Sequence, residues 1–303
     1  MLATPILAAA MAFSSVNAQK ALGTAGELVA KHPMRDAGTI QMRFAASFVR
    51  DKANGAGLDA EIDSFTADSP DGPLRFHNVM GELPAHDPSA SWIILITHYD
   101  TAPGIGGGFQ GANDGASTTG LLIELARQAK RAGVEWRTHP ILFAWVDGEE
   151  CKYSYTENDG LQGSKRVLEY MRLKKRRIFA VINLDMLGAR NLHITVPPNS
   201  TASLADAVIK AAQRTGYENK ITISKKKSHY LIDDFLPFLN ANCNAVALID
   251  MEYGTKPGLN DIWHTPADTI DKLSAESLEI SGKIITELLN LLQQKPAGKS
   301  KKR

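Results

Sequence analysis

Apolar positions along the chain follow two alternating patterns. Residues 92–96 form a continuous apolar run, and 140–146, 178–184 and 245–250 are almost as unbroken. Runs of that length suit strands buried on both faces. Between and after them, 116–132, 161–173, 202–215 and 274–293 carry apolar residues at helical spacing. Ahead of the first run, Leu22, Leu28 and Val29 and then Ile40, Met42, Phe44 and Phe48 give an irregular helical segment. After Asn54-Gly55-Ala56-Gly57 the pattern turns extended over 60–66 and 74–83. Strands and helices by turns predict βαβ units around a largely parallel sheet. No repeat or low-complexity linker divides the chain, so a single domain is expected over 19–294.

The two ends stand apart. Residues 1–18 carry no charged side chain and finish on Val16-Asn17-Ala18, the composition and small-residue ending of an export signal. A secreted or periplasmic protein is therefore expected. No other window approaches the ~20 apolar residues of a membrane span. Residues 295–303 form a basic tail that reads as disordered. The whole chain of 303 residues has Lys+Arg 34 against Asp+Glu 33, a net charge of +1, and a near-neutral balance argues against nucleic acid as a partner. With the five basic residues of the tail set aside, the remainder carries four more acids than bases. The two cysteines, Cys151 and Cys243, allow at most one bridge, so disulfides do not hold the fold together.

In open α/β sheets functional groups collect beyond the carboxyl ends of the strands. Here those positions are rich in Asp, Glu and His: Thr97-His98-Tyr99-Asp100, Gly111-Ala112-Asn113-Asp114, Asp147-Gly148-Glu149-Glu150, Asp185-Met186, Asp233-Asp234 and Trp263-His264-Thr265. Each alone has an ordinary explanation. Asp114 between Asn and Gly is a good turn former or helix cap, Glu149-Glu150 would face a helix dipole, and His264 could be a satisfied loop histidine. Together they place many acids at one sheet edge, which costs several kcal/mol of repulsion unless a cation offsets it. Carboxylate and imidazole ligands without thiolate favour zinc, and three protein ligands with one open position is the catalytic pattern.

A competing motif, Gly106-Gly107-Gly108-Phe109-Gln110-Gly111, matches the glycine spacing of a dinucleotide site. However, it begins six positions past Asp100, and the next strand-end acid, Asp147, lies 36 residues past Gly111 rather than about 20. It reads as a flexible loop. No G-x-S-x-G, H-E-x-x-H or phosphate-binding loop occurs. The basic runs 174–177 and 225–227 read as solvated helix ends and loops.

Over residues 35–292 the ordered set His98-x-Asp100, Asp114, Glu149-Glu150, Asp185 and His264 resembles the zinc-dependent peptidases of the M28 type. That family contains bacterial aminopeptidases and, as a branch, the animal-type glutaminyl cyclases. The resemblance implies a single-domain three-layer α/β/α fold with a mixed, mostly parallel central sheet. The run Asp159-Gly160-Leu161-Gln162-Gly163-Ser164-Lys165, the segment Asp233-Asp234-Phe235-Leu236-Pro237-Phe238-Leu239 and Trp263 before His264 are similar to the cyclase branch. It implies Asp114, Glu150 and His264 as ligands of one zinc, with Glu149 as general acid and base. Asp185 and Asp233 would form a hydrogen-bond network beside Glu149, and Trp263, Tyr155, Leu259 and Ile232 would wall the substrate pocket. In the aminopeptidases His98 and Asp185, with Asp100 nearby, would complete a second metal site; in the cyclase branch the resemblance implies a network there that holds no second ion. Phe235 stands where the branch has His, Tyr155 where animal enzymes have Trp, and the cysteine pair around H-x-D is absent.

The implied activity is a glutaminyl-peptide cyclotransferase acting on peptide or protein N-termini that begin with Gln. The alternatives are a two-zinc aminopeptidase and a non-catalytic binding module.

Overall fold

The computed structural model describes residues 16–294. The expected tail, 295–303, and residues 1–15 of the expected leader lie outside the described residues. The last three positions of that leader belong to the fold. Val16 is buried beside Gly282, where a Cβ would meet its Cγ2 at 2.2 Å, and the Asn17 side chain caps α1 (Ala18–Lys31) by accepting from Lys20 N.

A second helix, α2 (Ile40–Gly55), leads into an antiparallel hairpin of β1 (Glu61–Ala67) and β2 (Leu74–Leu83). The alternation then begins: β3 (Trp92–His98), α3 (Thr118–Ala132), β4 (Ile141–Val146), α4 (Gln162–Leu173), β5 (Ile178–Asp185), β6 (Ile194–Val196), α5 (Ala202–Thr215), β7 (Ile221–Ile223), α6 (Leu236–Asn240), β8 (Ala245–Asp250) and α7 (Ala275–Leu292). All eight strands join one sheet in the order β1-β2-β4-β3-β5-β8-β6-β7. Its centre, β4-β3-β5-β8, is parallel. The β2–β4 and β6–β8 pairs are antiparallel, so the sheet is mixed and mostly parallel. Among the described residues no helix is long and apolar enough to cross a membrane.

The unbroken apolar runs are explained by cover on both faces. Along β3, Ile93 and Leu95 belong to the core under α1, α2, α3, α5 and α7, whereas Ile94 and Ile96 belong to the smaller core with Phe235, Phe238, Val167 and Met171 on the α4 and α6 side. All seven residues of β3 are buried. Helix α1 approaches α3 closely at Gly120, where a Cβ would stand 2.2 Å from Ala21 O, so only glycine allows that contact.

The four long strands and four long helices lie close to the positions the pattern predicts. The three-residue β6 and β7 and the five-residue α6 are too short to establish a period, and the sequence reading omits them. The helix expected from 116 starts at Thr118, because Asp114 (φ −83°, ψ 90°) and Gly115 (φ 91°, ψ −39°) break helical geometry just before it. Parallel register brings His98 beside Val146 and Asp185 beside Ile249. The chain ends that carry His98, Glu149-Glu150 and Asp185 therefore emerge together on one edge of the sheet.

Candidate functional site

The site is assembled from the ends of three strands, β3, β4 and β5, and from three connecting segments that carry Asp114, Asp233 and His264. After β3 the chain reaches Asp100, which is fully buried. Its carboxylate accepts the backbone N–H groups of Glu149 (3.3 Å) and Glu150 (3.1 Å), fixing the turn after β4. Asp100 also lies 3.5 Å from His98 Nδ1. This is an orienting role: both its oxygens face backbone donors, which places Asp100 in a hydrogen-bond network beside the candidate ligands.

Asp114 sits in a widened helical turn, Ala112–Ser117. Gly111 enters it in the left-handed region, and a Cβ there would lie 2.6 Å from Asp114 O. Asp268 holds the turn by accepting from Asn113 N at 2.8 Å and Asp114 N at 3.2 Å, while Tyr253 donates to the same carboxylate at 2.6 Å. Such widened turns are frequent at functional sites. The result is that Asp114 Oδ1 faces His98 Nε2 (3.1 Å) and Oδ2 faces His264 Nε2 (3.2 Å). His264 Nε2 is also 3.0 Å from Glu150 Oε1. His264 adopts φ 53° and Met186, next to Asp185, adopts φ 50°; non-glycine residues there cost about 1–3 kcal/mol and cluster at functional sites. Trp263 stacks on the His264 ring with centroids 4.0 Å apart.

The electrostatics show an excess of acid in a closed space. Burial pushes the Glu149 carboxyl well above the usual range, helped by the charges of Glu150 and Asp233. Burial and then Asp114 push Glu150 up to about 7. Asp233 is raised by burial, Asp185 and Asp234. Burial opposes ionisation of Asp114 too, but its two histidines hold it below the ordinary value. For His264 burial disfavours charge, yet Asp114 and Glu150 raise it to about 10. Acids and imidazoles so arranged suit a bound cation.

The donor set fits a metal. His98, Asp114 and Glu150 each present a ligand atom within 4.8 Å of one another, and His264 adds a second imidazole to the same two carboxylates. Asp114 Oδ2 is buried, and His264 Nε2 lies 3.2 Å from it. Of the two histidines, His264 opens onto the cavity, whereas His98 is 2% exposed and fastened to Asp114 and Asp185.

A cavity of about 430 Å³ opens over these residues, the size of a small-ligand pocket. Asp114, Glu149, Glu150, Asp185, Asp233, His264, Tyr155, Ile232 and Trp263 all line it. Leu259 does not: Asn260 takes that stretch of wall, and Leu259 lies 43% exposed outside it. The network expected between Asp185 and Asp233 is also differently wired. Asp185 Oδ1 bonds His98 Nε2 at 3.1 Å, and Asp233 Oδ1 accepts Asp234 N at 2.5 Å while its Oδ2 is buried without a partner. Phe235, which replaces the histidine of the cyclase branch, is fully buried in the α4/α6 core and does not line the cavity. Cys151 and Cys243 are both free.

Four residues around the site escape the sequence reading. Arg35 is fully buried and donates to the carbonyls of Tyr99 (2.7 Å), Gln110 (3.0 Å) and Gly111 (3.0 Å), tying the loops of Asp100 and Asp114 together. Burial lowers its pKa to about 10, against the pull of Asp100, Asp268 and Asp114. Asp268 follows His264 by four positions, and Tyr230 with Met251 complete the cavity wall. None of the four carries a local signature. The tyrosine segment follows the basic run 225–227, which reads as solvent-facing.

Known proteins resemble this chain in sequence and fold. The pattern of peptidase family M28 matches residues 78–289. A crystal structure of glutaminyl cyclase from an Acidobacteriales bacterium is 30% identical and superposes with a TM-score of 0.84 over 97% of this chain and 99% of that one. The mouse glutaminyl-peptide cyclotransferase-like protein is 28% identical over 290 residues, 86% of this chain and 72% of its own. Aminopeptidase YwaD of Bacillus subtilis strain 168 is 26% identical over 202 residues, 64% of this chain and 40% of its own. By that family match over more than half of its length, the chain belongs to peptidase family M28.

Proposed function

We propose that the chain is a zinc-dependent glutaminyl-peptide cyclotransferase that converts N-terminal Gln to pyroglutamate with release of ammonia. The observation that carries the reading is one cavity lined at once by three candidate ligands, by a buried carboxyl with a raised pKa, and by an unpartnered buried carboxylate oxygen. The 30% identity to a glutaminyl cyclase over nearly the whole chain supports it.

Asp114, Glu150 and His264 would hold one zinc ion, whose chemistry when bound is that of a Lewis acid toward the substrate's γ-carbonyl. The chain's own groups do the rest. Glu149 takes a proton from the α-amine as its nitrogen bonds to the side-chain carbonyl carbon, then returns the proton to the departing amide nitrogen. The C–N bond to that nitrogen breaks, and one ammonia leaves per ring formed. Asp233, through its free Oδ2, accepts from the N–H groups of the substrate. Trp263 and Tyr155 narrow the cavity and exclude water, which favours cyclisation over hydrolysis. Zinc-loaded Glu149→Gln should keep its metal and lose at least about 100-fold in turnover; turnover within a fewfold of the parent would assign the proton transfer elsewhere.

A second reading, a two-zinc aminopeptidase, draws on one observation: His98 Nε2 lies 3.1 Å from both Asp114 Oδ1 and Asp185 Oδ1, a second set of donors. The leader composition supports export to a secreted or periplasmic location.

A further inference from the structure

We propose that the Tyr155 hydroxyl is a positioning group for the general base: it holds Glu149 Oε1 and leaves Oε2 as the oxygen that exchanges the proton with substrate. The inference deepens the role of Glu149 given above and rests on that role, though not on which reaction Glu149 serves. Tyr155 donates to Glu149 Oε1 at 2.9 Å, and both side chains line the same cavity. A carboxylate has two chemically equal oxygens, so a fixed donor on one decides which is presented.

The loop that carries Tyr155 is built to keep it there. The Asp159 carboxylate is buried and accepts the backbone N–H groups of Lys152 (2.6 Å), Tyr153 (2.9 Å) and Ser154 (3.1 Å). Thr156 N donates to Asp159 O at 2.9 Å, and Leu161 N returns to the backbone oxygen of Glu149 itself at 3.0 Å. Across the loop, Asp71 of the β1–β2 turn accepts from Lys152 and from the Tyr153 hydroxyl. Gly160 makes room for the ring: a Cβ there would lie 2.5 Å from Tyr155 Cδ1. Burial and the charges of Glu149 and Glu150 raise the phenol pKa, so the hydroxyl remains a donor and does not compete for the transferred proton.

The test is Tyr155→Phe, which removes one oxygen and keeps the ring. A hydrogen bond to a charged group converts to roughly a 10- to 100-fold effect. The expected result is a fall in kcat of that size, with KM within about twofold and zinc content equal to the parent. A second variant, Asp159→Ala, releases the loop without substituting any cavity-lining residue, and should give the same kcat-specific loss. The inference is overturned by Tyr155→Phe with kcat within about threefold of the parent, by a loss that appears in KM, or by loss of zinc. Should the parent hydrolyse peptides instead of cyclising them, the comparison is made on hydrolysis; the cyclase reading then fails while this inference stands or falls separately.

Discussion

Asp100 Oδ2 accepts the backbone N–H of Glu150 at 3.1 Å, with the Oδ1 oxygen on Glu149 N at 3.3 Å. One buried side chain thus sets the direction of both a candidate ligand and the candidate base, although it reaches neither the cavity nor the substrate. Asp100→Ala removes both acceptors and should weaken zinc by about 10- to 100-fold, the usual cost of deleting a group that orients a ligand. Asp100→Asn keeps one carbonyl acceptor and should fall between that variant and the parent. Competition with a chelator of known affinity measures this. Zinc affinity unchanged in Asp100→Ala would show that the Glu149-Glu150 turn holds itself.

A second consequence concerns pH, at a residue remote from the ligands in sequence. Asp250, at the end of β8, accepts from His193 N and Glu252 N, yet burial raises its pKa to about 7. A carboxyl with a folded pKa above its unfolded one favours folding most below the unfolded value, near 4, and that contribution is lost as pH rises through about 7. Asp250→Asn keeps an acceptor without the charge. Its stability relative to the parent should therefore grow between pH 4 and pH 8, by up to about 4 kcal/mol. Urea unfolding of both proteins at several pH values checks it; a difference constant across that range contradicts the account.

The fold was legible where the chain repeats one environment over several residues. Ile93 to Ile96 are apolar on both faces because helices cover both, and the same holds for 141–146 and 245–250. The candidate site was legible because parallel strands deliver their last residues to one edge, so His98, Glu149 and Asp185 could be grouped without knowing the loops. What stayed hidden depends on tertiary contacts between distant segments. Nothing near Arg35 in sequence signals that its guanidinium meets the carbonyls of Tyr99 and Gly111, 64 and 76 positions away. Asp268 is a support for Asp114 across 154 positions. Phe235, just ahead of α6, is a change to the core, because it packs with Phe238, Val167 and Met171. The expected leader boundary at Ala18 likewise cuts into packed structure: Asn17 caps α1, a contact typically worth ~1 kcal/mol.

The central claim is that a Glu149-centred cavity with one zinc closes an N-terminal Gln on itself. The most direct measurement incubates the zinc-loaded protein with a Gln-initiated peptide and reads both ammonia and peptide mass, alongside zinc per chain. The account predicts one ammonia lost from each peptide, an N-terminus that becomes blocked, no free amino acid, and close to one zinc. Release of free N-terminal residues from unblocked peptides, with two tightly held zinc ions, would contradict it and assign His98 and Asp185 to the second metal.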